Sequence, residues 1–197
     1  MSIQRDIEFL YEIGSLRNVP TGWKQHIGMD CANDLEHTLR VAFIALILAR
    51  HEGGVDEAKI LKMALVHDLP EARVADHSYV QKVYVTDIDE DGAARDMFNG
   101  TSIPDYLEIF REYEARSCLE AKIVKDADNL DVEIELKELE ERGSKIPAKL
   151  KPFREKVRLE KLYTASAQRF WDTLQTSDPA SWHLAMNKWL KVPSAGT

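Results

Sequence analysis

An all-helical domain is what this sequence predicts. Three observations predict it: apolar residues recur at three- and four-residue intervals in nearly every periodic stretch, alternation with period two is almost absent, and the run VAFIALILA from Val41 to Ala49 is apolar throughout. Taken in order, Ile3, Ile7, Leu10 and Ile13 or Gly14 mark the face of a first amphipathic helix. Leu35 to Arg50 form the second, a buried central helix stopped by Gly53-Gly54. Asp56 is placed to cap the third, AKILKMALVHD, and Pro70 ends it by disfavouring helical geometry at Leu69. The sole strand signal is the weak alternation of YVQKVYVTDI, Tyr79 to Ile88. Thr86 to Pro104 is acidic and turn-rich and reads as a mobile lid. Its DIDEDG run is not a calcium loop, because Phe98 stands where the twelfth-position carboxylate belongs. A further helix spans 121–134, with Ile123, Val124, Ala127, Leu130 and Ile134 on its apolar face. Lys149 to Lys161 is basic but interrupted by Glu155 and Glu160, the pattern of a charged helix face. Asp178-Pro179 caps and opens a last helix, ASWHLAMNKWL, before a frayed tail, VPSAGT.

Composition narrows the class. With 197 residues, 44% hydrophobic and 30% charged, the chain fits one globular domain that buries roughly 70% of its unfolded surface. The net charge of −8 and pI near 5.3 oppose nucleic-acid binding, which depends on neutralising phosphates. No apolar run approaches the roughly 18 residues of a membrane span, and the acidic N-terminus carries no signal-peptide core, so no membrane partner and a cytoplasmic location are expected. The two cysteines, Cys31 and Cys118, build no disulfide framework and read as structural, with Cys31 close to the Trp23 segment.

Chemistry concentrates at His67-Asp68, where the third helix ends. Carbonyl groups at a helix C-terminus favour a cation, and an Asp that directly follows a buried run needs a partner. His37 lies 30 residues upstream and the acidic stretch KDADNLD about 60 downstream, so one divalent cation held by imidazole and carboxylate would join three helices. The apolar pattern of residues 121–134 places Asp131 nearer the buried face than Asp128, and periodicity alone favours Asp131 as the fourth ligand.

Three segments resemble the HD-domain metal-dependent phosphohydrolases, in particular their small 5'-deoxynucleotidase-like branch. VPTGWKQHIGMDCANDLEHTLRVAFIALILA is similar to its first helices, ALVHDLPEARVAD to its His-Asp core, and YEARSCLEAKIVKDADNLD to its last metal-binding helix. The resemblance covers about residues 5–142, with C-terminal helices at about 150–191 completing a single domain over 1–197. It implies a helical bundle with His37, His67, Asp68 and Asp128 around one divalent metal ion (Mn, Co, Fe, Ni, Mg or Zn), and leaves Asp126 and Asp131 as supporting or solvated acids. It further implies Glu71 as the water-activating carboxylate, Asp76 as a second catalytic acid and Trp23 in the substrate pocket. A small nucleotide, foremost a deoxyribonucleoside 5'-monophosphate, is the expected substrate, and a homodimer the expected assembly.

Two departures bear on substrate. Gly22 stands where some members carry an arginine before the tryptophan, and Ala75-Asp76 replaces a common Gly-Asp, followed by His77 to Lys82 at the pocket mouth. Phosphate contacts are therefore sought among Arg17, Lys24, Arg40, Arg73, Lys82 and Lys125, at most two of which are expected to serve. Arg17 and Lys82 are the first choices beside Trp23. The same fold carries phosphohydrolases or pyrophosphohydrolases for other small phosphorylated metabolites and non-catalytic regulatory modules. An acid and a base beside the ligands argue against a module.

Overall fold

The computed structural model describes residues 2–185, and among these there are helices, turns and one isolated bridge, Pro20 with Asn33, but no β-strand. Two long helices form the axis: α3 (Asp34–Glu52) and α9 (Leu119–Glu141). Around them in chain order are α1 (Ile3–Ser15), the short α2 (Lys24–Ile27), α4 (Glu57–Val66), the single turns α5 (Glu71–Val74) and α6 (Gln81–Tyr84), α7 (Glu90–Phe98), α8 (Tyr106–Ala115), α10 (Ile146–Glu160), α11 (Ala165–Leu174) and α12 (Ser181–Ala185).

Local chemistry sets the helix starts that matter for the site. Asn33 and Glu36 close a reciprocal capping box at the head of α3, which fixes His37 in its first turn. Asp56 caps α4 through the Ala58 and Lys59 amides, and Cys118 caps α9 through the Ala121 amide, a structural role for that cysteine. Two apolar clusters result. One joins α3, α4, α9 and α11 through Val41, Leu48, Met63, Ile123, Leu130 and Trp171; the other joins α1, α7 and α8 through Phe9, Leu16, Met97, Phe98 and Phe110.

Four expectations are corrected. The helix α1 packs by Phe9 and Ile13, with Leu16 just beyond its end, and the Phe9 ring lies 5.5 Å from that of Phe98. Ile3, Ile7 and Leu10 face outward, because the aromatic contact selects the docking face over the longer aliphatic stripe. Within the apolar run of α3, Phe43 and Ile47 are exposed, as is Leu39 one turn earlier, so this central helix keeps one bare face. Residues 81–84 form a helical turn where alternation had hinted at a strand. The supposed lid contains α7, capped by Asp89, with Ala94, Met97 and Phe98 buried in the second cluster. Its apolar residues fall at helical spacing and give the segment a core contact that turn-rich composition conceals.

The charged face of α10 is solvent-exposed as expected, apart from Arg154, which is buried and donates to Glu133 and to the Asn129 carbonyl on α9. Asp178 accepts from the Ala180 amide ahead of α12; the remainder of the expected last helix, from residue 186, and the VPSAGT tail lie outside the described residues. No helix among the described residues is long and apolar enough to cross a membrane.

Candidate metal centre

His37 comes from the first turn of α3, His67 and Asp68 from the turn that follows α4, and Asp128 from the middle of α9. One ligand atom from each lies within 4.8 Å of all the others. His37 Nε2 is 3.3 Å from Asp68 Oδ2, 3.3 Å from Asp128 Oδ1 and 3.3 Å from His67 Nε2, while His67 Nε2 is 3.0 Å from Asp68 Oδ2.

The outer nitrogens decide what this cluster fits. His37 Nδ1 lies 2.6 Å from Asp131 Oδ2 and His67 Nδ1 lies 2.8 Å from the Ala64 carbonyl oxygen, so both rings donate from Nδ1 and turn the Nε2 lone pairs toward each other. Two such nitrogens and two carboxylates at these separations need a cation between them, and a two-nitrogen, two-oxygen set suits a divalent transition-type ion. Electrostatics agrees. Burial pulls the His37 imidazolium down, but the carboxylates of Asp128, Asp131 and Asp68 outweigh it and hold its pKa well above the usual value. Burial raises the Asp68 and Asp128 carboxyls, yet the histidines beside Asp68, and Lys125 with His37 beside Asp128, hold both below the usual range.

The rivalry between Asp128 and Asp131 is one of roles. Asp131 is the more deeply buried, as periodicity indicates, and it uses that burial to bind His37 Nδ1 and Arg40 Nε. Asp126 is neither solvated nor near the cluster; fully buried, it accepts from the Tyr163 and Thr164 amides and the Thr164 hydroxyl, tying α9 to the start of α11.

Glu71 opens α5 three residues beyond Asp68, and Asp76 follows its end. Burial first, then the charges of Asp68, Asp76 and Asp34, pushes the Glu71 carboxyl up to about 11. Burial likewise raises Asp76, which accepts from the Gly22 amide at 2.6 Å and sits 3.9 Å from Lys82 Nζ. Ala75, between them, has φ 63° and ψ 160°, a conformation that normally requires glycine, and it aims Asp76 back at the cluster. Asp34 was not foreseen. It is buried on the first turn of α3, its Oδ2 has no hydrogen-bond partner, and burial with the charges of Asp68 and Asp76 lifts it to about 7.

Trp23 donates its indole N–H to Glu135 Oε2 at 3.0 Å, and Glu135 also accepts from the Ala32 amide at 2.5 Å, so this α9 carboxylate straps the 23–32 loop. Gly22 is held tightly: a Cβ there would meet Ser78 N at 2.6 Å and the His77 carbonyl carbon at 2.8 Å. A cavity of about 200 Å³ opens on His67, Asp68 and Glu71 and is flanked by Lys82, Arg116 and Lys125. The remaining candidate cations are held elsewhere: Arg17 donates to the Gly14 carbonyl, Lys24 faces Asp30, Arg40 binds Asp131 and Glu138, and Arg73 binds Glu12. Arg116 lacked any sequence signal, since it simply follows the end of α8. Cys31 lines a separate, polar cavity beside Arg40 and Glu135.

This convergence of three helices on two histidines and two aspartates defines a helical metal-dependent hydrolase centre, and the chain belongs to the HD domain family, whose profile matches residues 13–176. Among known proteins it is 30% identical over 162 residues to a 5'-deoxynucleotidase, HDDC2, of Danio rerio, which covers 75% of each chain. It is 28% identical to the 5'-deoxynucleotidase hdd1 of Schizosaccharomyces pombe, over 68% of this chain and 72% of that one. Of solved structures, a conserved hypothetical protein from Pyrococcus furiosus superposes with a TM-score of 0.73 at 30% identity, covering 86% of this chain and 98% of the other.

Proposed function

We propose that the protein is a metal-dependent phosphomonoesterase that releases phosphate from small nucleotides, foremost deoxyribonucleoside 5'-monophosphates. The observation that carries this is one cavity lined by His67 and Asp68 of the His37, His67, Asp68 and Asp128 cluster and by Glu71, with Asp76 3.9 Å from the Lys82 that flanks it. Similarity to 5'-deoxynucleotidases supports the substrate class.

A divalent ion on those four residues would acidify bound water and offset phosphoryl charge. The protein supplies the rest. Burial and the neighbouring carboxylates raise the Glu71 carboxyl in the metal-free protein; the divalent charge beside Asp68 would lower it again, so that Glu71 takes the proton of the attacking water and hands it on. Asp76, fixed by the Gly22 amide, delivers a proton to the departing 5'-oxygen. Trp23, its N–H engaged by Glu135, presents its ring face to sugar or base, and Lys82 meets the anionic end. Arg17 has no part, because its guanidinium turns back onto Gly14.

The homodimer reading is supported by α3, where Leu39, Phe43 and Ile47 form an exposed apolar stripe at i, i+4 and i+8 that a second copy would cover. Two free cysteines fit a cytoplasmic setting. The deciding experiment is a panel of phosphate esters assayed on chelator-stripped protein reloaded with single divalent metals. Metal-dependent phosphate release, fastest with deoxyribonucleoside 5'-monophosphates, is expected; nucleotide binding without hydrolysis under any metal would replace the enzyme by a binding module.

A further inference from the structure

Within the cavity beside His67, Asp68 and Glu71, two cations remain without a role. We propose that Arg116 and Lys125 form a clamp for the phosphoryl dianion of the substrate. The proposal deepens the phosphomonoesterase reading and rests on it for the identity of the ligand.

Lys125 stands one turn before Asp128 on α9. Its Nζ is 2.5 Å from Asp128 Oδ2, while Oδ1 of the same carboxylate faces His37 Nε2 at 3.3 Å. The carboxylate thus turns one oxygen to the metal cluster and the other to the lysine. An ammonium has three donors, and with one on Asp128 the others are available toward the cavity that the side chain lines at 37% exposure.

Arg116 reaches the cavity from the end of α8. It closes α8 in a left-handed backbone, φ 51°, a conformation that helix ends adopt and that non-glycine residues otherwise seldom do. That turn lays its guanidinium 3.5 Å over the Tyr113 ring, and the Tyr113 edge meets the His67 ring at 5.7 Å. Arginine, tyrosine and metal-ligating histidine are therefore one stack. Of the five guanidinium N–H donors, one serves the Tyr113 carbonyl and one Glu114 at 3.3 Å, which leaves donors for a ligand.

The surroundings assign the clamp to phosphate. Glu90 also lines the cavity and repels a dianion, while the charge of Glu114 is met by Arg116 itself, so the favourable place for the dianion is against the remaining donors of Arg116 and Lys125. Planar guanidinium beside a compact ammonium is a common pairing for phosphoryl oxygens. No side chain can replace them from position 22, where backbone atoms of residues 77 and 78 fill the space that a Cβ would need.

The test uses full-length protein reloaded with Mn²⁺, with inorganic phosphate and the phosphate-free deoxynucleoside as competing probes of hydrolysis. Lys125→Met and Arg116→Gly should each weaken inhibition by phosphate on the order of 10- to 100-fold, leave inhibition by the nucleoside unchanged and retain metal by elemental analysis. Lys125→Arg should restore phosphate affinity. Glycine accepts the backbone conformation at 116, so that variant is expected to fold. Unchanged phosphate inhibition in both metal-loaded variants overturns the clamp. Loss of metal in Lys125→Met overturns the part of Lys125 and makes it a support of Asp128. If the wild type cleaves no monoester, direct phosphate titration of the same proteins still decides the clamp while the enzymatic reading falls.

Discussion

His37, His67 and Asp128 stand on, or one step beyond, helices of 19, 10 and 23 residues, whereas Glu71 and Trp23 belong to four-residue helices and their caps, and Asp76 to the loop that follows. The contrast extends to polar partners. In the ligand half the outward nitrogens of both histidines are satisfied, by Asp131 and by the Ala64 carbonyl. In the other half Thr21 Oγ1 and His77 Nδ1 have no hydrogen-bond partner among the described residues, and Ala75 is strained. Metal affinity thus rests on packed helices that resist adjustment, and proton transfer and substrate recognition on short segments that sequence change can rearrange.

The largest effects are expected in the ligand half. His67→Ala or Asp68→Ala should remove the metal and abolish phosphate release while the helical circular dichroism persists; full metal content in either variant would break the assignment. Asp128→Asn should also lose metal, whereas Asp131→Asn, which removes the carboxylate charge that orients His37 and pairs with Arg40, should weaken metal affinity about 10- to 100-fold. If the Asp131 variant loses more metal than the Asp128 variant, the two roles are reversed.

Glu71→Gln probes the other half. It should keep its metal and bind nucleotide as before, yet lose on the order of 10²- to 10⁴-fold in kcat, about 3 to 5 kcal/mol of transition-state stabilisation. Turnover at the wild-type level would remove Glu71 from the chemistry.

A pH series sharpens the distinction further. In the metal-free protein the His37 pKa is raised, so its contribution to stability is complete below the unfolded value near 6.5 and is lost as pH rises through the folded value. A metal ion competes with that proton, so metal uptake should tighten with rising pH. Thermal melts of stripped and loaded protein should diverge above about pH 6.5, the stripped form falling; parallel melts would show that the imidazole proton does not hold the cluster together.

The smallest effect belongs to Ala75→Gly, which should relieve a conformation costing about 1 to 3 kcal/mol, less the greater freedom glycine has in the unfolded chain. A net gain of about 1 kcal/mol, read as a melting temperature a few degrees higher, is expected. A lower melting temperature would mean that the short segment is better matched to alanine than its backbone angles indicate.

Legibility followed the same division. The helical class, the ends of α3 and α4 and the His37, His67 and Asp68 grouping were readable because period, caps and Pro70 are local signals. The helical period also ranked Asp131 as more deeply buried than Asp128, but burial marks the residue that orients a ligand as readily as the ligand itself, and only the resemblance separated the two. The face of α1 and the docking of α7 depend on Phe9 meeting Phe98 across nearly half the chain, a contact that neither segment announces. Asp34 carries no signal of its own in the sequence; its charged neighbours, Asp68 and Asp76, reach it only when the 68–76 turn folds against the head of α3. Arg116 depends on one left-handed backbone angle, which no spacing encodes.

The close approach at Gly22 has an evolutionary consequence. Because a Cβ there would overlap the backbone of residues 77 and 78, and because the Gly22 amide is the donor that holds Asp76, the identity of residue 22 and the path of the 76–78 chain are inherited together. An arginine grafted at 22 alone would displace the loop and release Asp76 from its donor. The same graft accompanied by a rebuilt 75–82 segment would remove the overlap, so in this chain residue 22 and the 75–82 segment can be exchanged only as a pair of loops, not one residue at a time.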